Sequence, residues 1–240
     1  MRNTDEDWIH LGEKEPYWGV ITNSRFKTEN ISPNAIDDFY RSGVVDVETV
    51  VSRFRGLFAD FKPGTALDFG CGVGRMTFPM AKYAGSVCGV DISPGMLSKA
   101  EERKNVLNVE TVTFANEVPK QEYDWINSFL VFQHIPPKRG YSIVDELLSM
   151  VSASGFVSLE FSFARDAILK SARKLRIQNA LFSLEGEIER NRRQPLGTMM
   201  MYEYDMNTLL KCLFDHRISE PLLVHTNHGG QHGCWIIGRK

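Results

Sequence analysis

Apolar positions recur first at helical spacing and then in short blocks. Ser32-Pro33 reads as an N-cap followed by proline at the first helical position. Ala35, Ile36, Phe39 and Tyr40 continue one helix, and Val47, Val50, Val51, Phe54, Leu57 and Phe58 mark another. After Pro63-Gly64 the period changes. Strands are predicted at 65–69, 86–91, 109–114, 123–131 and 156–163. Helices fall between them. One runs from a glycine-rich turn to about Tyr83, capped by Thr77 so that Pro79 sits in the first turn. A second opens at Ser93-Pro94, with Met96, Leu97 and Ala100 on one face. A third opens at Pro136-Pro137, carries Ile143, Val144, Leu147, Leu148 and Val151, and stops at Gly155.

Strands alternating with helices predict an α/β fold, a doubly wound and mostly parallel sheet with helices on both faces. The tail differs. After a helix at Asp205–Phe214, strands at Glu220–Thr226 and Cys234–Gly238 lie too close for a parallel crossover. They complete a seven-stranded sheet as an antiparallel C-terminal hairpin. Residues 164–197 are too long for a loop and helical in composition, which predicts a helical inserted cap. Residues 1–33 are polar but carry Trp8, Tyr17, Trp18 and Phe26, so they should fold onto the body. The division expected is an N-terminal helical lid with entry helices over 1–61 and the main domain over 62–240.

The 240 residues are 42% hydrophobic, 24% charged and 11% aromatic, which excludes a disordered, collagen-like or low-complexity chain. A net charge of −2 gives no global pull toward nucleic acid or anionic lipid, so neither partner is expected. Cys71, Cys88, Cys212 and Cys234 form no C-x-x-C pair and no zinc-type spacing, and they read as reduced thiols. The acidic start MRNTDEDWIH is unlike a signal peptide, and no apolar run approaches the ~20 residues of a membrane helix. A cytoplasmic location follows as an expectation. The oligomeric state stays open.

The candidate chemistry centres on Leu67-Asp68-Phe69-Gly70-Cys71-Gly72-Val73-Gly74-Arg75. Glycines in a strand-to-helix turn let the backbone approach a ligand. A tight turn alone would also need them. Asp68 would repel a pyrophosphate and attract a cationic amino group. Asp91 ends the second strand, 91 − 70 = 21 residues beyond Gly70, where a carboxylate can accept both hydroxyls of a ribose. A ligand with a ribose diol, a positive amino acid part and no phosphate matches S-adenosylmethionine.

LDFGCGVGR, GVDISPGML (Gly89–Leu97) and NSFLVFQHIP (Asn127–Pro136) resemble class I S-adenosylmethionine-dependent methyltransferases, over roughly residues 62–163 and more loosely the terminal hairpin. FQHIPP is similar to a group of small-molecule methyltransferases, many associated with sugar and polysaccharide pathways. The resemblance implies that Asp68 lies near the methionine amino group, with Gly70, Cys71 and Gly72 under the methionine and ribose. Phe69, Gly74 and Arg75 belong to the same cofactor-binding set. Asp91 would hold the ribose, and Ile92 and Met96 would flank the adenine. Ala115-Asn116 would meet the adenine edge, where many relatives carry an acid. Ser128 and Phe129 would face the sulfonium side.

His134 follows the fourth strand, at the cleft where such sheets bind ligands. A pKa of ~6.5 suits it to take a proton from an acceptor hydroxyl, which makes it the candidate catalytic residue. The alternative is a histidine that packs beneath the site. His225, His228 and His232 could meet on a metal or simply form a polar hairpin turn; no metal is expected. In the insert, Arg165, Lys170, Arg173, Lys174, Arg176, Arg190, Arg192 and Arg193 outnumber four acids, as a solvated face or an attraction for an acidic substrate. The function expected is methyl transfer from S-adenosylmethionine to an oxygen or nitrogen of a small-molecule acceptor, such as a sugar or another natural-product intermediate. The alternatives are a methyltransferase acting on protein or nucleic acid, and a non-catalytic protein that binds the cofactor.

Overall fold

The computed structural model describes residues 4–166, 175–177, 180–182 and 195–240. Helices α1 (Thr4–Lys14) and α2 (Pro16–Val20) precede α3 (Pro33–Leu57). Ser32 Oγ accepts the Ala35 N–H at 3.2 Å, so cap and proline start α3 as the sequence predicts. The two helices expected here are one. Gly43, inside it, lies so close to the Arg75 carbonyl that a Cβ would collide with that oxygen. The inner face of α3 buries Phe39, Val47, Val50 and Phe54 completely. Phe54 stacks on Phe61 at 4.5 Å and meets Trp125 and Phe156 edge-on, which fastens α3 to the sheet.

The sheet contains β1 (Thr65–Phe69), β2 (Ser86–Val90), β3 (Val112–Ala115), β4 (Tyr123–Ser128) and β5 (Val151–Arg165), all parallel. A separate hairpin pairs β6 (Leu175–Ile177) with β7 (Ala180–Phe182). The main sheet closes with β8 (Leu222–His228) and β9 (Gln231–Arg239), antiparallel to each other, with β9 antiparallel to β5. The spatial order is β3-β2-β1-β4-β5-β9-β8, the doubly wound seven-stranded sheet with the antiparallel C-terminal hairpin that the sequence predicts. Strand order reverses between β1 and β4, so their carboxyl ends open a crevice there. On one face of the sheet lies α3. Helices α4 (Thr77–Met80) and α5 (Pro94–Leu107) follow the first two strands. In a second core cluster, α6 (Pro137–Ser149) and α7 (Met206–Asp215) bury Val144, Leu147, Leu148, Leu209 and Leu213 with Ile126, Val157 and Leu159.

Several local expectations change. The helix expected to reach Tyr83 is only α4, because Pro79 has no N–H for the Arg75 carbonyl. The chain continues in tighter turns, Ala81 N–H to Phe78 O and Lys82 N–H to Pro79 O. Met76 holds the cap position, and the Thr77 hydroxyl is used elsewhere. Helix α6 stops at Ser149, while Gly155 lies inside β5. Within 164–197, β5 runs on to Arg165, and β6 and β7 are extended where a helix was expected. Leu175-Arg176-Ile177 alternates with period two, a strand pattern that bulk composition concealed. The rest of the insert, with most of its basic residues, lies outside the described residues. Arg165 itself pairs with Glu203 at 2.7 Å. Among the described residues, no helix is long and apolar enough to cross a membrane.

Candidate active site

Strand β1 leads directly into the glycine turn. Gly70, Gly72 and Gly74 have φ of +74°, +55° and +80°, conformations that side chains rarely permit. The Gly70 and Cys71 N–H groups both donate to the Val90 carbonyl, which holds the turn against the end of β2. Asp91 comes next. Its Oδ2 accepts the Gly72 N–H at 2.8 Å, and its Oδ1 accepts the Ser93 N–H at 2.9 Å. Asp91, not the Ser93 hydroxyl, thus satisfies the start of α5, and Ser93 Oγ is buried with no partner among the described residues. Burial pushes the Asp91 carboxyl up to about 6, opposed by the Ser93 and Gly72 amides and assisted by the Asp68 charge.

Around this acid the predicted residues separate. Met96 is buried, whereas Ile92 is 41% exposed at the rim. The Ala115 carbonyl accepts the Asp91 N–H, and Asn116 is exposed beside it. Cys71 is buried, and desolvation with nearby Asp91 and Asp68 holds its thiol well above the ordinary value, so it is a neutral packing group. Phe69 stacks on Phe132 at 5.7 Å. Arg75 points its guanidinium to α3, 2.6 Å from Asp46 and 3.1 Å from Ser42 Oγ, and lies 5.9 Å over the Phe129 ring. Its expected contact with the cofactor is therefore corrected to a tie between the turn and α3.

Asp68 is also placed differently from expectation. Both carboxyl oxygens are already engaged, by Thr77 Oγ1–H at 2.6 Å and Asn127 Nδ2–H at 2.8 Å. Burial raises its pKa, and it makes no ion pair among the described residues. The Thr77 and Asn127 hydrogen bonds and the Arg75 charge favour its ionised form, and each oxygen keeps a second lone pair. The strip continues across the sheet: Ser158 Oγ–H donates to Asn127 Oδ1 at 2.7 Å, and Trp125 Nε1–H donates to Ser158 Oγ at 2.9 Å. Ser128, fully buried at the end of β4, has a hydroxyl with no partner among the described residues. A buried acid, hydroxyls on Ser93 and Ser128 that lack partners among the described residues, and a carboxylate at the end of β2 fit a cationic ligand with a ribose. S-Adenosylmethionine has both features.

His134 does not present a free nitrogen. It is 9% exposed; Nδ1 lies 2.9 Å from the accepting Met200 carbonyl and Nε2 lies 3.2 Å from Gln133 Nε2. Burial lowers its pKa to about 4, against the Met200 hydrogen bond and the Glu160 charge. The geometry makes it a neutral packing histidine, so its expected role as base is corrected. Trp8 of α1 packs on it with ring centroids 4.7 Å apart. Helix α1 also crosses α5, where a Cβ on Gly12 would collide with Ser93 Oγ, and Val20 of α2 lies over Gly72. Asp7 is buried and accepts the Gly197 N–H at 2.9 Å.

The histidine trio is not one cluster. His225 and His232 pair at 3.0 Å, and His232 continues to Asp166 at 2.8 Å. His228 turns to Glu160 at 3.0 Å. A different trio, Asp145, Cys212 and His216 between α6 and α7, brings its ligand atoms within 4.8 Å of one another. Sequence reasoning passed over Glu160. Its signal was an acid in the apolar run Val157-Ser158-Leu159-Glu160-Phe161, since a buried glutamate requires partners.

Residues 66–155 match a family model described as a methyltransferase domain. A 23S rRNA (uracil(1939)-C(5))-methyltransferase from Marinomonas sp. is 24% identical over 201 residues, 74% of this chain and 45% of its own length. The enzyme of that name from Burkholderia thailandensis is 30% identical over 112 residues, 44% of this chain and 24% of its own. The chain thus spans less than half the length of these curated relatives. Among solved structures, magnesium protoporphyrin IX methyltransferase from Synechocystis PCC 6803, with bound S-adenosylmethionine, superposes with a TM-score of 0.63 at 18% identity, covering 100% of this chain and 98% of that one. An amino pentose methyltransferase from Micromonospora echinaspora gives 0.58 at 15% identity, covering 88% and 98%. At such identities the likeness shows the fold. The rRNA enzymes correct one expectation: a net charge near zero does not exclude a nucleic-acid partner, because net charge ignores where basic residues cluster. With the family match on the glycine turn, the sheet order and the acids at the ends of β1 and β2, residues 66–155 of this chain carry a methyltransferase domain, on the fold of its S-adenosylmethionine-bound class I neighbours.

Proposed function

We propose that the chain transfers the methyl group of S-adenosylmethionine to an oxygen or nitrogen of a small-molecule acceptor. The observation that carries this reading is the packing of the N-terminal helices. Helices α1 and α2 lie over the glycine turn, α5 and His134, through Gly12 on Ser93, Val20 on Gly72 and Trp8 on His134. A site roofed in this way favours an acceptor small enough to be enclosed. The N-terminal segment up to residue 61 acts as lid and entry helices on the domain that follows. When bound, the cofactor supplies an activated methyl on a sulfonium. The protein's share is then alignment, worth ~7–11 kcal/mol of the barrier for well-held reactants, and exclusion of water.

In this reading Asp91 accepts the ribose hydroxyls, Asp68 favours the amino group by its charge, and His134 positions the lid through Trp8. A cytoplasmic location belongs to the same proposal. RNA is the second reading, and the names of the curated relatives favour it. Labelled-methyl transfer decides between them. Incubation with a small-molecule extract is expected to label an extractable product, with total RNA assayed in parallel. Label in RNA alone would replace the first reading with the second. Cofactor binding without product from any acceptor would leave a non-catalytic binder.

A further inference from the structure

Beside the cofactor crevice lies a second polar group that the cofactor does not need. Glu160 of β5 is 1% exposed, yet three donors converge on it. Its Oε2 accepts the Leu130 N–H at 3.0 Å, and its Oε1 accepts Thr226 Oγ1–H at 2.8 Å and approaches His228 Nε2 at 3.0 Å. Gly233 leaves the space: a Cβ there would press on both Thr226 Oγ1 and Glu160 Oε1. Leu130, held by this carboxylate, has φ of +61°, a strained value for a branched side chain. That strain sits just after Phe129, at the end of β4.

Sheet topology puts these groups at the edge that holds Gly70 and Asp91. β8 is antiparallel to β9, and β9 is antiparallel to β5, so β8 runs parallel to β5 and ends at the same side. His228 is its last residue. The imidazole meets Phe129 edge-on at 5.9 Å, and Phe129 packs on Trp235 at 4.7 Å. The Trp235 indole N–H is buried without a partner among the described residues. The His228 side chain is 35% exposed, so a substrate can reach it. Glu160 accepts from Nε2 and so places the proton there, which leaves the Nδ1 lone pair open. A base oriented by a buried carboxylate is the arrangement that activates hydroxyl groups.

We propose that Glu160 and His228, with Phe129 and Trp235, form the acceptor half of the site, and that His228 Nδ1 takes the proton of a hydroxyl-bearing acceptor with a flat apolar body. The inference rests on the methyl-transfer reading above. As the acceptor oxygen bonds to the methyl carbon, the carbon–sulfur bond breaks and S-adenosylhomocysteine leaves. The hydroxyl proton passes to Nδ1, and Glu160 stabilises the imidazolium.

Two measurements test this. In ¹⁵N-labelled protein saturated with S-adenosylhomocysteine, long-range ¹H–¹⁵N spectra should show His228 protonated on Nε2. A proton on Nδ1 overturns the proposal. With phenol as acceptor probe and labelled S-adenosylmethionine, His228→Ala should lower the single-turnover rate by ~10²–10⁴-fold. S-adenosylhomocysteine affinity should stay unchanged, and added imidazole should restore part of the rate. Glu160→Gln should also slow transfer. An undiminished rate in His228→Ala overturns the proposal, as does a loss that imidazole does not relieve. Wild-type protein that methylates total RNA or benzoate but not phenol would keep the methyltransferase reading and overturn this one. Protein that neither binds S-adenosylhomocysteine nor transfers methyl to any probe would end both.

Discussion

Asp91 gives the sharpest test, because it should move stability and cofactor affinity through one charge. Its carboxyl is raised from 3.8 to about 6, chiefly by burial. The native state therefore holds this proton more tightly than the unfolded chain. Its contribution to stability is fully present below about 3.8 and is lost as pH rises through about 6. The separation corresponds to at most about 3 kcal/mol. Asp91 is only half-buried by surface area, so solvent screening trims this to about 1–2 kcal/mol. Asp91→Asn removes the titration. It also replaces one of two oxygens, each holding a separate amide, with a donor, at a pH-independent cost of about 1–3 kcal/mol. Urea unfolding at pH 4.5, 5.5, 6.5 and 7.5 is the assay. The wild-type advantage over Asp91→Asn should shrink by about 1 kcal/mol across that range, while titrating groups that do not interact with Asp91 cancel between the two proteins. Affinity for S-adenosylhomocysteine, by calorimetry at pH 7.5, should fall at least about tenfold in the variant, since a charged hydrogen bond is worth ~1.5–3 kcal/mol. Parallel stability curves would refute the burial argument, and unchanged affinity would remove Asp91 from the ribose site.

His134→Ala should lose about 1–3 kcal/mol of stability, because the Met200 carbonyl and Gln133 amide are left unpaired. Its folded pKa near 4 lies below the ordinary 6.5, so its contribution is present above about 6.5 and lost as pH falls toward 4; that loss should vanish in the variant, as read by the same urea series. Gly12→Val should push α1 off Ser93 and speed cofactor release, measured by stopped-flow fluorescence, while an unchanged rate would deny the lid. Gly43→Ala should cost about 1–3 kcal/mol in urea unfolding, because the Arg75 carbonyl has no room to retreat from a new Cβ.

What the sequence disclosed was periodic or positional. The five parallel strands, the Ser32-Pro33 start and the terminal hairpin were legible because period and turn chemistry are local. The join of two helices into α3 was not, since Ser42-Gly43 reads as a break and the close approach of Gly43 to the Arg75 carbonyl is a tertiary contact. Asp91 was legible from its place at a strand end. The occupation of Asp68 by Thr77 and Asn127 was not, because those partners lie nine and 59 residues away. His134 misled for the same reason: its position announced a cleft, while its burial depends on Met200, 66 residues further on.

The two histidines differ in how their partners divide the imidazole. His134 spends Nδ1 on a carbonyl and Nε2 on an amide, inside the protein, with Trp8 against its ring. Burial leaves the ionised ring without water, which is why its pKa falls, against the Met200 hydrogen bond and the Glu160 charge. His228 spends one nitrogen on a carboxylate and leaves the rest of the ring accessible. Burial and partner geometry, rather than proximity to the fourth strand, therefore separate the two rings: one is enclosed with both nitrogens engaged, the other is accessible and tied to Glu160 through Nε2.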